Sequence, residues 1–168
     1  MSTSAVEIIR RMHDHRLWVR TRLLEVGSAL PETDLRRTFP IGLGSVHASL
    51  AHLYGAEFVW EAALGGEIGP RFPQPDDFPD LASLLRAWSD LDERWAVRLA
   101  ALDAAELARP VTRRNLAGVV MTTPARDVYV HVCMHAFYHT AQLVNMLRHL
   151  GVSELPETNF ITYAREGH

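Results

Sequence analysis

The chain runs to 168 residues, 48% apolar and 22% charged, which is enough to close one hydrophobic core and too apolar for a disordered segment. Its formal net charge is −3 and all 17 basic residues are arginine, a bias we read as codon usage; no basic stretch points to nucleic acid as a main partner. A single cysteine, Cys133, excludes an internal disulfide and fits a reducing, cytoplasmic setting.

Residues 4–27 are expected to form a first helix. Ser4 and Glu7 make an S-x-x-E capping box, and Val6, Ile9, Met12, Leu17, Val19, Leu23 and Leu24 give an apolar stripe ahead of Gly27. No apolar run precedes a small-residue cleavage site here, so no secretory leader is expected. Residues 28–45 read as a loop rich in Pro, Gly and Thr, with a short helical turn near PETDLRR. A second helix over 45–64 is entered through Gly44 and Ser45 and ended by Gly65-Gly66. Its apolar set is Val46, Leu50, Leu53, Tyr54, Val59, Trp60 and Leu64. The proline-rich segment 66–80 is a linker within one domain, because neither half alone can build a core.

A third helix is expected over 81–103, capped by Asp80, with Leu81, Leu84, Leu85, Trp88, Leu91, Trp95, Leu99 and Leu102 in helical period. Residues 104–122 read as irregular, with a short extended piece about Val119 and Val120. A fourth helix over 124–150 takes Thr123 as N-cap, Pro124 at its first position and Gly151 past its end. It is apolar nearly all round, so it is expected to be central and buried. The tail from Ser153 packs across one end. No stretch approaches ~18 uninterrupted apolar residues, so no membrane span is expected. The expected fold is all-α: one domain, 1–168, built as a four-helix bundle. Its connections of about 15 to 20 residues permit crossovers.

Histidine is the unusual count, nine in the chain. His131, His135 and His139 recur at i, i+4 and i+8, and residues four apart project from one helix face. His135 and His139 can therefore hold one metal ion from a single helix. His131 is ~12 Å along the axis from His139 and reads as an outlying or core residue. A buried imidazole without a partner costs ~1–3 kcal/mol, so a shared metal is the economical explanation for imidazoles interrupting an apolar helix. A further ligand must come from another helix. His47 and His52 lie five apart and point in different directions, so at most one faces the site. Of His13 and His15, only one can face inward. His149 belongs to a different place, ~15 Å from His139, and His168 is on the tail. A histidine alone on a helix is more often a surface or hydrogen-bonded core residue. Cys133 is turned away from His135 and reads as core.

Other chemistries fit less well. There is no G-x-S-x-G elbow and no H-E-x-x-H motif, and the GLGS turn at 42–45 lacks the lysine of a phosphate loop. Trp18, Trp60, Trp88 and Trp95 read as core or cavity wall. The nameable carboxylates are Glu57, five residues after His52, and Asp14, beside His15. A solvated surface position is the plainer reading for both. His15 stands as an extra ligand or a proton donor at the mouth of the site.

The segment FPIGLGSVHASLAHLYGAEFVW at 39–60 and the segment HVCMHAFYHTAQLVNMLRHLG at 131–151 resemble the two histidine-bearing blocks of the DinB/YfiT-like family. The tail NFITY at 159–163 is similar to the family's closing D-F-x-x-Y, while 66–122 matches only in length and helix content. The resemblance implies a bundle with crossed connections and a metal held by one histidine of the second helix and two of the fourth. Here those are His52, His135 and His139, which selects His52 over His47. It also implies a metal-dependent hydrolase or a thiol S-transferase using low-molecular-weight thiols, and a homodimer. Two departures stand out: Thr140-Ala141 replaces the family's Arg-Gly, and Met134 replaces an Asn, while Gln142 is kept on the metal face.

The expected function is thus a metal-dependent enzyme acting on a small molecule. Zinc or nickel is the first expectation for the ion; iron and copper also suit imidazole. The reacting group would be a metal-bound water or thiol, with Glu57, His15 and Gln142 as weaker candidates beside it. The competing reading is a non-catalytic metal-binding or structural dimer, stress-related. Neither nucleic acid nor a membrane is expected as a partner.

Overall fold

Four long helices carry the core in the computed structural model, which describes residues 4–115 and 117–167. The first is α1 (Ala5–Ser28), and its capping box forms as expected: the Glu7 N–H donates to the Ser4 hydroxyl at 3.2 Å and the Ser4 N–H donates to the Glu7 carboxylate at 2.6 Å. The turn anticipated in the next loop is α2 (Glu32–Leu35). The second long helix, α3 (Val46–Leu64), starts at Ser45, whose hydroxyl accepts from the Ala48 N–H. After a 3-10 turn at Pro75–Asp77 comes α4 (Leu81–Ala100), capped by Asp80 accepting from the Ser83 N–H at 2.7 Å.

Three expectations need correction here. The third helix stops at Ala100 instead of running to 103, because Asp103 caps a new short helix, α5 (Ala104–Ala108), by accepting from the Glu106 N–H. The short extended piece expected about Val119 and Val120 forms as β2 (Val120–Pro124), but the rest of 104–122 is not irregular: β1 (Pro110–Arg114) pairs antiparallel with it, Val111 opposite Thr123. Thr123 is therefore committed to the hairpin and cannot cap the last long helix. That helix, α6 (Ala125–His149), begins one residue later than expected, and the Ala125 N–H donates to the Arg109 carbonyl instead. The tail adds α7 (Phe160–Arg165), lying against α1. His168 lies outside the described residues.

Around the bundle the neighbours run α1, α6, α3, α4 and back to α1. The connections from α1 to α3 and from α4 to α6 therefore join diagonal partners, and the crossovers that the loop lengths allowed are made. Leu50, Leu84, Trp88, Leu91, Trp95, Tyr129, Leu143, Met146 and Leu147 fill the interior. Contrary to expectation, α6 is not buried all round. Each helix of a four-helix bundle keeps an outward side, and on α6 that side carries Val130, Met134 and Tyr138. Among the described residues no helix is long and apolar enough to cross a membrane.

Between α1, α3 and α4 the core also holds charge. Glu57 of α3 takes ion pairs from Arg16 and Arg20 of α1 and a hydrogen bond from Trp88 Nε1 at 3.3 Å; Arg20 also pairs with Asp92. The two guanidiniums hold the Glu57 carboxyl below the usual range despite burial. A solvated Glu57, the plainer reading of its sequence position, is thus overturned.

Candidate metal centre

Three imidazoles converge where α3 and α6 pack together. His52 projects from α3, nearly two turns past its start, and His135 and His139 project from successive turns of α6. One ring nitrogen from each lies within 4.8 Å of the others. The ring centroids of His139 stand 4.7 Å from His52 and 4.5 Å from His135. The Nε2 atoms of His52 and His135 are 3.2 Å apart. Two nitrogens bound to one ion at ~2.0–2.1 Å, at a tetrahedral angle, stand about 3.3 Å apart. The spacing is thus compatible with one shared ion, and it is equally within reach of a hydrogen bond between the two rings.

The protonation states agree. Burial lowers the pKa of all three imidazoles, and the neighbouring rings lower His135 further, to about 4. Neutral imidazole is the form that ligates. His139 Nδ1–H donates to Gln142 Oε1 at 2.9 Å, which fixes the ring orientation and leaves Nε2 free. Gly42 provides the room: a Cβ there would sit 2.2 Å from Gln142 Oε1, and its φ of +49° already favours glycine. On α3, Gly55 lets the Phe72 ring approach, since a Cβ would stand 2.7 Å from it. Phe72 in turn forms a wall beside His52, 5.4 Å between centroids. Neither glycine was singled out for this purpose by the sequence; both contacts are made by residues far away in the chain.

The remaining candidates lie elsewhere. His131 is one turn from His135, 5.8 Å between centroids, partly exposed against Trp60 instead of in the core. His47 is buried, with Nε2–H donating to the Phe78 carbonyl at 3.0 Å. The expectation that only one of His13 and His15 faces inward fails, because both are buried. His13 Nε2–H donates to the Tyr129 carbonyl at 3.1 Å, between α1 and α6, while His15 is enclosed by Trp18, Phe137, Phe160 and Tyr163. The tail helix α7 covers what would have been the outer side of α1. His15 is thus walled off from the three imidazoles, and Glu57 faces the arginines. Asp14 stays exposed on the rim of a groove between α1 and α4. His149 rests near Phe39. Cys133 is buried core, its thiol pushed up to about 12 by burial. An open depression of about 1260 Å³ lies against α4 and α5 and includes none of the three imidazoles.

The crossed four-helix bundle is a known class of fold, and the sequence places this chain in one superfamily. The sequence model of the DinB superfamily matches residues 17–143, and the chain belongs to that superfamily. It is 20% identical over 157 residues to Protein DinB of Bacillus subtilis (strain 168), across 87% of this chain and 88% of that protein. The fold is similar to that of YfiT from Bacillus subtilis, a protein described as a probable metal-dependent hydrolase with an unusual four-helix bundle topology. The TM-score is 0.64 at 16% identity, covering 90% of this chain and 92% of that one.

Proposed function

We propose that His52, His135 and His139 hold one divalent transition metal, zinc or nickel in the first instance, and that the chain is a metal-dependent enzyme acting on a small molecule as a hydrolase or thiol S-transferase. The observation that carries this reading is the 3.2 Å separation of the His52 and His135 nitrogens with His139 beside them. A divalent ion held by His52, His135 and His139 would supply a Lewis acid able to lower the pKa of a water or thiol. The chain's own residues supply the rest. Gln142 orients His139, Phe72 walls off one side of His52, and His52 and His135 are only half-buried, so the site is reachable from solvent. The description of YfiT as a probable metal-dependent hydrolase supports the hydrolase branch. We read the functional unit as a homodimer in a reducing compartment, supported by the exposed apolar stripe of α6 and the single buried thiol.

Elemental analysis of protein purified without a metal-affinity tag tests the reading, followed by thiol-transfer and hydrolysis screens on the metal-loaded sample. One equivalent of metal, lost in His52→Ala, His135→Ala and His139→Ala while the helical spectrum persists, is expected. Full metal content in those variants would refute it.

A further inference from the structure

We propose that Arg113 is the anion anchor of the surface beside the metal centre, reached from it through His131 and Trp60, so that the substrate carries a carboxylate or phosphate spaced from its metal-seeking end. This rests on the metal-dependent reading above and adds the substrate's charge to it.

Arg113 lies on β1, which packs against α3 and α6. Its guanidinium carbon stands 4.6 Å from the Trp60 ring centroid. Trp60 meets His131 at 5.2 Å, and His131 meets His135 at 5.8 Å. The guanidinium and the three imidazoles thus occupy one continuous face between the same two helices. The indole face attracts the guanidinium at this distance and takes none of its N–H donors into a hydrogen bond with oxygen.

What sets Arg113 apart is its lack of a counter-ion. Arg16 and Arg20 have Glu57, Arg98 has Glu61, Arg109 has Glu106, Arg10 takes three carbonyls at the end of α4, and Arg22 takes the Trp18 carbonyl. Among the described residues, Arg113 is the arginine withdrawn from solvent without any oxygen partner, and its Nε is buried. Burial lowers its pKa and no carboxylate offsets that. A half-buried, uncompensated cation is unfavourable in the free protein, and an arriving anion relieves it. A planar guanidinium also matches carboxylate and phosphate oxygens two at a time.

The test uses zinc-loaded protein and two probe series of graded chain length: ω-mercaptoalkanoates and the matching ω-mercaptoalcohols. The thiol is the metal-seeking end in both, and only the first has an anion. Calorimetric titration is expected to show, at one chain length, about tenfold tighter binding of the carboxylate than of the alcohol. Arg113→Gln should abolish that advantage while leaving alcohol affinity, metal content and the helical spectrum unchanged. Arg113→Lys, which keeps the charge without the planar fork, should retain part of it. A wild-type protein that shows no carboxylate advantage at any length, or an advantage that persists in Arg113→Gln, overturns the anchor but not the metal site. Failure to take up zinc, with neither series binding, overturns both. Should Arg113→Gln not fold, the wild-type comparison decides alone, through loss of the carboxylate advantage at high salt; an advantage indifferent to salt counts against the anchor.

Discussion

Gln142 holds His139 in the tautomer that leaves Nε2 free, and Gly42 leaves space for Gln142. Removing such an orienting partner typically weakens metal affinity about 10–100-fold. Gln142→Ala is expected to do so with the fold intact, measured by competition with a metal-binding dye. Unchanged affinity would mean the hydrogen bond is incidental. His13 makes a different prediction. It is 1% exposed, and burial first, then Arg16, holds its pKa down to about 3. Its unfolded value is ~6.5, so its contribution is intact above that pH and is lost as pH falls from ~6.5 toward ~3. By pH ~5 the loss is roughly 2 kcal/mol. His13→Gln, which keeps a donor for the Tyr129 carbonyl, should flatten the acid limb of the stability curve in denaturant titrations. Parallel curves for the two proteins would remove His13 as the cause.

At the level of elements, α1, α3 and α4 are pinned by charge as well as by apolar packing. Arg16 and Arg20 are spaced i, i+4 on α1, Trp88 and Asp92 are spaced i, i+4 on α4, and Glu57 of α3 sits between the two pairs. Breaking a buried pair from one side leaves an uncompensated charge and costs about 3–5 kcal/mol. Glu57→Gln should therefore lower unfolding free energy by that order, whereas Asp92→Asn, at the partly exposed end, should cost about 1 kcal/mol or less. Equal effects in equilibrium denaturation would contradict a network centred on Glu57. Because Glu57 is occupied in this way, its removal should act on stability before it acts on metal content.

For the whole molecule, the outward side of α6 is the feature that asks for a partner. Val130, Met134 and Tyr138 are 37%, 61% and 65% exposed at i, i+4 and i+8. A contiguous apolar stripe of this kind on a single chain commonly marks an interface. Light scattering is expected to give twice the chain mass, and Met134→Glu is expected to reduce it to one chain without loss of helicity. A concentration-independent single-chain mass in the unaltered protein would rule the dimer out.

The four long helices were legible from local signals: a cap at Ser4, Ser45 or Asp80 for the first three, and for the fourth Pro124 at its start and the apolar run that follows. The i, i+4 spacing of His135 and His139 was legible for the same reason, since helix geometry alone puts both on one face. The hairpin was not, because Val111 to Arg114 shows little alternation and takes its pairing from Val120 to Thr123 across the turn. Nor could spacing choose between His47 and His52. They point in different directions along α3, and which of them meets α6 depends on how the two helices pack; Phe78 takes His47 and the metal face takes His52. Burial of His15 depends on α7, of Glu57 on α1 and α4, and the isolation of Arg113 on the hairpin folding over Trp60. Local periodicity and capping are properties of neighbouring residues, so the chain states them directly. Charge partners, cavity walls and the orientation of one helix face toward another arise between segments distant in sequence, and packing alone settles them.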